Sequence, residues 1–279
     1  MISRYTKFIL ILYFSVANAQ EVKWMSIGDL HNWYSAAGSE IEVGRTGQVS
    51  DPQDGLRYPA FYRVQDNQAA KGLWLGASNF YDPVVNKNYD KKVVHAGPRH
   101  LDIENETMPV KLTMDGKYDH PNVFVDGDPA TNLQYLDYVD NVNPSLESDR
   151  KINNIVQTSL GVQMKRTIYA FAHPDHQNYH IQEYVFTNNG CFDKDCNTSY
   201  EQTLEGFQVY LQYRYAISRE GMVYDGNWLP QSAAWGHNTM NDVIGDYPSS
   251  PSTNDQVYDN GEIMRAFFSW QGYHSDASF

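Results

Sequence analysis

Hydrophobic and polar residues alternate along several stretches of this chain with the period of two that a half-buried β-strand requires. The clearest run is 207–217, where Phe207, Val209, Leu211, Tyr213, Tyr215 and Ile217 fill every odd position and the even positions are mostly polar. It predicts a strand with one face on a core. Val162, Met164, Ile168 and Ala170 alternate in the same way before a loop at 172–178, and 179–187 reads as the returning strand, closed by the turn Thr187-Asn188-Asn189-Gly190. Because short connections join neighbours, 161–172, 179–187 and 204–218 are expected to form an antiparallel meander. The buried face of 179–187 is left open, since Glu183 interrupts the row of Ile181 and Val185.

Upstream, Lys111-Leu112-Thr113-Met114 followed by Asp115-Gly116 predicts a hairpin turning at the Asp-Gly pair, and the same turn signal recurs at Asp54-Gly55, Asp126-Gly127 and Asp225-Gly226. No long window carries the helical period. The expectation is an all-β fold: an antiparallel β-sandwich or related two-sheet architecture with long loops. A weak subdivision is expected within the polar stretch 137–153, around Asn143-Pro144-Ser145. The composition agrees, with 21 Tyr, 12 Phe and 6 Trp among 279 residues, because aromatic side chains suit a pleated, half-buried surface.

The N-terminus changes the picture. Arg4 and Lys7 precede an apolar stretch over 8–17, and Ala17-Asn18-Ala19 supplies the small residues of a signal-peptidase site, so 1–19 is expected to be a signal peptide and 20–279 the exported β-rich region. The apolar run is about half the roughly 20 residues a spanning helix needs, and no later stretch is apolar enough to serve as a transmembrane segment. Position 20 is Gln, where a lipoprotein would carry Cys. Without the leader, nineteen basic residues face thirty-four acidic ones, a net charge near −15 that repels phosphate backbones and argues against nucleic acid as a partner. In an oxidising compartment Cys191 and Cys196 are expected to form a local disulfide, with two free thiols as the alternative.

Candidate chemistry is sparse. His173-Pro174-Asp175-His176 and His180 place three imidazoles close together, but the proline and the strand entry favour a solvated turn over a metal site. Asp126, Asp128, Asp137 and Asp140 cluster carboxylates around a glycine, a pattern that could gather oxygen ligands for calcium although the EF-hand spacing is not met. There is no G-x-S-x-G elbow, H-E-x-x-H helix, P-loop or dinucleotide-binding glycine motif. Trp228, Trp235, His237 and Asn238 lie in a Pro- and Gly-containing stretch without strand alternation, a candidate ligand-facing loop, with core packing of the indoles as the alternative.

The segments Gly28-Asp29-Leu30-His31-Asn32-Trp33-Tyr34, Lys71-Gly72-Leu73-Trp74-Leu75-Gly76, Gly97-Pro98-Arg99, Ile168-Tyr169-Ala170-Phe171 and Glu183-Tyr184-Val185-Phe186-Thr187-Asn188-Asn189-Gly190 resemble the N-terminal part of long secreted proteins of Bacteroidetes-like and related marine bacteria. Many of those end in a type IX secretion sorting domain, which this chain lacks. The resemblance spans about residues 24–270 and implies a secreted or cell-surface location and a longer parent protein, but carries no activity and no catalytic residues. The functional expectation is therefore a non-enzymatic β-sandwich region with an adhesion or glycan-binding role, its partners being extracellular polysaccharide or surface components. The alternatives are a secreted, glycosidase-like hydrolase working through paired carboxylates, or a structural scaffold.

Overall fold

The computed structural model describes residues 21–40, 56–61, 67–97, 106–120, 124–129, 137–215, 239–244, 256–257, 263–264 and 266–271. The leader 1–19, the Asp-Gly pairs at 54–55 and 225–226, and the loop holding Trp228, Trp235, His237 and Asn238 lie outside them. The described secondary structure is all β. Strands run in the order β1 Val22–Met25, β2 Asn32–Ser35, β3 Gln68–Asp82, β4 Lys87–Ala96, β5 Thr107–Gly116, β6 Phe124–Val125, β7 Asp128–Pro129 and β8 Asn141–Val142. They continue with β9 Arg150–Thr158, β10 Val162–Ala170, β11 His180–Asn188, β12 Glu205–Tyr215, β13 Thr239–Ile244, β14 Gln256–Val257, β15 Ile263–Met264 and β16 Ala266–Gln271.

Two sheets carry most of the structure: one of five strands in the order β11-β10-β9-β5-β8 and one of three in the order β12-β3-β4. All their pairings are antiparallel except β5 with β8. The alternation explains the core. Val162, Met164, Ile168 and Ala170 of β10 and Ile152 and Val156 of β9 all point inward and are buried. One buried cluster joins Leu73, Leu75, Ala77, Phe80 and Val94 of the smaller sheet to Val156, Val162 and Met164 of the larger. A second joins Met25, Tyr34 and Ala36, from the β1–β2 hairpin and its end, to Leu112, Met114, Ile152, Ile168 and Ala170. No helix among the described residues is long and apolar enough to cross a membrane.

The expected strands at 161–172 and 179–187 pair as β10 and β11, with Ile168 opposite Gln182. The third strand of the expected meander does not join them. β12 lies in the other sheet, with Leu211 opposite Leu73 and Val209 opposite Leu75. The short-connection rule fails because the link from Asn188 to Glu205 is long enough to cross the core, where Phe207 meets Phe186 edge-on at 6.0 Å between ring centroids. The hairpin expected at Asp115-Gly116 is also absent: β5 pairs with β9, Gly116 opposite Arg150. Gly116 serves packing instead, since a Cβ there would come within 2.9 Å of both Arg150 Nη1 and Val139 Cγ2. At Asp126-Gly127 the turn does form, with φ of 53° and 92° linking β6 to β7. The stretch 137–149 holds β8, and Arg150 opens β9 in the middle of the five-stranded sheet.

The face of β11 left open by its sequence is settled: Gln182, Tyr184 and Phe186 turn inward, while Ile181 and Val185 are 47% and 46% exposed.

Cys191 and Cys196 form a disulfide in the β11–β12 connection. Asp193 holds the same loop independently, its carboxylate accepting backbone N–H bonds from Asp195, Asn197 and Thr198. Closing so short a loop contributes about 2 kcal/mol in the chain-entropy model. The double variant Cys191→Ser/Cys196→Ser is therefore expected to stay folded and lose no more than that in urea denaturation.

Candidate functional site

Strand alternation decides what the outer face of the three-stranded sheet displays. In Lys71-Gly72-Leu73-Trp74-Leu75-Gly76 the leucines point into the core, so the tryptophan and both glycines point out. Register places Tyr210 of β12 and His95 of β4 on either side of Trp74, forming one row across three strands. The Trp74 indole is 6.0 Å from the Tyr210 ring and 5.4 Å from the His95 ring, tilted to them by 73° and 57°. Trp74 and Tyr210 are 37% and 56% exposed. The next row on one side is Gln208, Gly76 and Val93; on the other side Gln212 is paired with Gly72.

The indole is held in place. Its Nε1 donates to the Gly97 carbonyl at 3.3 Å, and a Cβ at position 72 would lie 3.2 Å from that nitrogen, so Gly72 makes room for the ring to lean across the strand. His95 is fixed by Glu106, whose carboxylate accepts the His95 backbone N–H at 3.1 Å and lies 3.0 Å from Nδ1. A solvent-facing aromatic row with side-chain amides beside it can stack on the apolar face of a sugar and bond its hydroxyls. Sequence reading passed over these residues because a lone Trp between glycines is ambiguous until register supplies its neighbours.

Near the N-terminal end of β3 lies a buried polar network. Lys71 and Glu40 form an ion pair with side chains 5% and 3% exposed. Glu40 also accepts hydrogen bonds from Asn32 at 2.6 Å and Gln182 at 2.9 Å, and Tyr184 donates to Gln182 at 2.8 Å. Burial opposes ionisation of Glu40, but Lys71 and the Gln182 bond outweigh it and hold the carboxyl below its ordinary range. Burial likewise opposes the Lys71 charge, and Glu40 reverses this to push the ammonium's pKa upward. A carboxylate held ionised in this way is a poor proton donor, and its chemistry here is to tie β2 and β11 to β3. Beside it, Arg166 is fully buried and donates to the carbonyls of Ser35 and Gly38 at 2.9 Å and Ser39 at 3.3 Å.

Of the three clustered histidines, His173 and His176 sit in the exposed turn, whereas the ring of His180 points inward to the Tyr34 hydroxyl, 2.7 Å from Nδ1. His31, from another part of the chain, has Arg57 Nη2 at 2.8 Å from its Nδ1. A guanidinium can only donate, so Nδ1 accepts and Nε2 carries the proton toward the Gly28 carbonyl at 3.1 Å. Burial, then the Arg57 charge, lowers the His31 pKa to about 4. Burial lowers that of His180 to about 4 against the opposing pull of Glu40. Both rings must stay neutral in the fold. Their contribution is complete above the ordinary value of 6.5 and is lost as pH falls from there toward 4. Stability is expected to drop by about 2 kcal/mol per ring between pH 7.5 and pH 5, rather less for the more exposed His31, with urea midpoints as the readout.

The four carboxylates considered for calcium are put to separate uses. Asp126 and Asp128 are exposed on the β6–β7 hairpin. Asp137 is buried, 2.6 Å from His120 Nε2, with Arg150 at 4.0 Å. Asp140 accepts from the Met114 backbone N–H at 2.6 Å and from Lys23 at 2.9 Å. Among the described residues, no group of three or more His, Cys, Asp or Glu side chains is placed to hold a metal ion. Comparison with protein-family models, with curated proteins and with solved structures gives no match to this chain.

Proposed function

We propose that this is a secreted or cell-surface β-sandwich region, part of a longer protein, that binds extracellular glycan non-enzymatically through the outer face of its three-stranded sheet. The observation that carries the reading is the row Tyr210–Trp74–His95, an aromatic surface left open to solvent yet held by specific bonds. Contiguous exposed aromatic rows, unlike rings exposed singly, mark surfaces on which something else lies, and binding surfaces favour Trp and Tyr because they bring large contact area with little rotamer entropy. The disulfide and the acidic composition suit a protein outside the cell.

Trp74→Ala and Tyr210→Ala are each expected to abolish or weaken at least tenfold the retention of the protein in affinity electrophoresis through polysaccharide gels. Melting temperatures should stay within a few degrees of the parent, because neither ring is in the core. Retention unchanged in both variants would refute the reading, and equal indifference of the intact protein to every polymer would favour a scaffold. Release of reducing ends from any retained polymer would point to the hydrolase instead.

A further inference from the structure

Gly72 and Gly76 flank the same indole, yet the fold explains only one of them. A side chain at position 72 would press on the Gly97 carbonyl at 3.1 Å and on Trp74 Nε1 at 3.2 Å. At position 76 a Cβ would meet, among the described residues, only Val93 Cγ2 at 3.5 Å and the Lys92 carbonyl at 3.7 Å, both ordinary contacts. The Gly76 backbone is not in the left-handed region either. Glycine in the middle of a strand weakens it and often marks a bulge or a close approach from outside, and the bulge here lies in β12, between Glu205 and Gln208, where Gly206 takes the positive φ. Trp74 leans toward Gly72 and away from Gly76, so the strand at Gly76 is a shallow floor between the indole flank, Gln208 and Val93.

We infer that Gly76 is the floor of a seat for a neutral, unsulfated sugar ring, which lies over the bare strand beside Trp74. This rests on the glycan-binding reading of the same face and adds where the ring sits and which class of glycan enters. Size and charge argue for that occupant. Three strands about 4.8 Å apart and the four rows about 7 Å apart around Trp74 and Gly76 make a patch of roughly 400 Å², below the about 800 Å² per partner of a stable protein interface. The rings are tilted to one another by 57° and 73°, which suits a soluble chain and not the flat surface of a crystalline polymer. Glu205 and Lys91 offset each other in the row beyond Gly76 and Glu106 engages His95, so the rows around Trp74 and Gly76 carry no excess of cations for sulfate or carboxylate, Arg214 following in register only beyond Gln212. The net charge of −13 repels such polymers at longer range.

The test compares intact protein with Gly76→Ala, Gly76→Thr and Trp74→Ala. The gels contain neutral polymers (mixed-linkage β-glucan, laminarin, galactomannan, xyloglucan) or anionic ones (alginate, carrageenan), and melting curves run alongside. The intact chain is expected to be retained by at least one neutral polymer and by neither anionic one. Gly76→Thr should weaken that retention at least tenfold and Gly76→Ala less, with melting temperatures unchanged or raised, since β-branched residues suit strands. Should Gly76→Thr bind like the parent while Trp74→Ala does not, the seat is wrong and the glycan-binding face stands. A fall of more than a few degrees in the melting temperature of Gly76→Ala makes the glycine structural and overturns the inference. Retention by anionic polymers alone overturns the neutral class, and retention by none overturns seat and face together.

Discussion

Replacing Arg166 with methionine is expected to be among the most damaging single substitutions in this chain, lowering stability by about 2–4 kcal/mol and the melting temperature by roughly 5–10 °C. The guanidinium is wholly buried in a row of otherwise apolar β10 residues, and its hydrogen bonds go to three carbonyls of the turn that follows β2. Methionine fills similar space but leaves the Gly38 carbonyl without a donor and takes the charged partner from the Ser35 and Ser39 carbonyls, which keep only the backbone N–H groups of Gly38 and Ser35, and a buried, unsatisfied group costs about 1–3 kcal/mol. Arg166 also lies over the Tyr34 ring, 5.6 Å from its centroid. Arg166→Lys restores the charge but neither the planar stacking nor the fork that reaches several carbonyls, so it should fall between the two. Urea denaturation of the three proteins checks the order, and a lysine variant as stable as the parent would show that charge alone matters.

The second large effect is expected at the buried ion pair. Lys71→Met leaves Glu40 bonded to Asn32 and Gln182 without its ion-pair partner, a change that costs about 3–5 kcal/mol because the remaining charge stays desolvated. Replacing both partners, as Glu40→Leu/Lys71→Met, removes the orphaned charge and should cost less than the sum of the single changes. The pH dependence separates this from simple loss of packing. In the parent the Glu40 carboxyl is held low, so its contribution is present above the ordinary carboxylate range and lost on acidification. In Lys71→Met burial is opposed only by the Gln182 bond and the Arg166 charge, so the carboxyl is held down less strongly than in the parent. That variant should therefore recover part of its deficit relative to the parent as pH falls. A deficit constant between pH 7.5 and pH 5 would mean that Glu40 keeps its charge by other means.

The individual strands were legible because their information is local. Val162, Met164, Ile168 and Ala170 alternate in sequence and all lie on the core, and β10, β11 and β12 begin and end within a few residues of the expected limits. Partner choice was not legible. Whether β12 continues a meander or crosses to β3 depends on what its apolar face meets, and the residues of β3 that receive it lie more than a hundred positions upstream. Arg166 left a trace as the charged gap in an apolar row, but nothing nearby in sequence names the carbonyls it serves, which belong to residues 35–39. The same distance hid the outer row: Trp74, His95 and Tyr210 become one surface only through register. The residues singled out as a ligand-facing loop, Trp228 to Asn238, lie outside the described structure and remain a separate proposal.

Glu183 looked like a defect in the apolar row of β11, yet β11 is the edge of the five-stranded sheet, and there the charge protects the molecule from itself. Ile181 and Val185 stand exposed to either side of it on a nine-residue strand, a combination that would otherwise template the addition of another chain. A second copy pairing antiparallel about this point would set one Glu183 against the other. The carboxylate thus fits a gatekeeper on a long edge that has no further strand paired to it among the described residues, and its removal is expected to favour edge-to-edge aggregation.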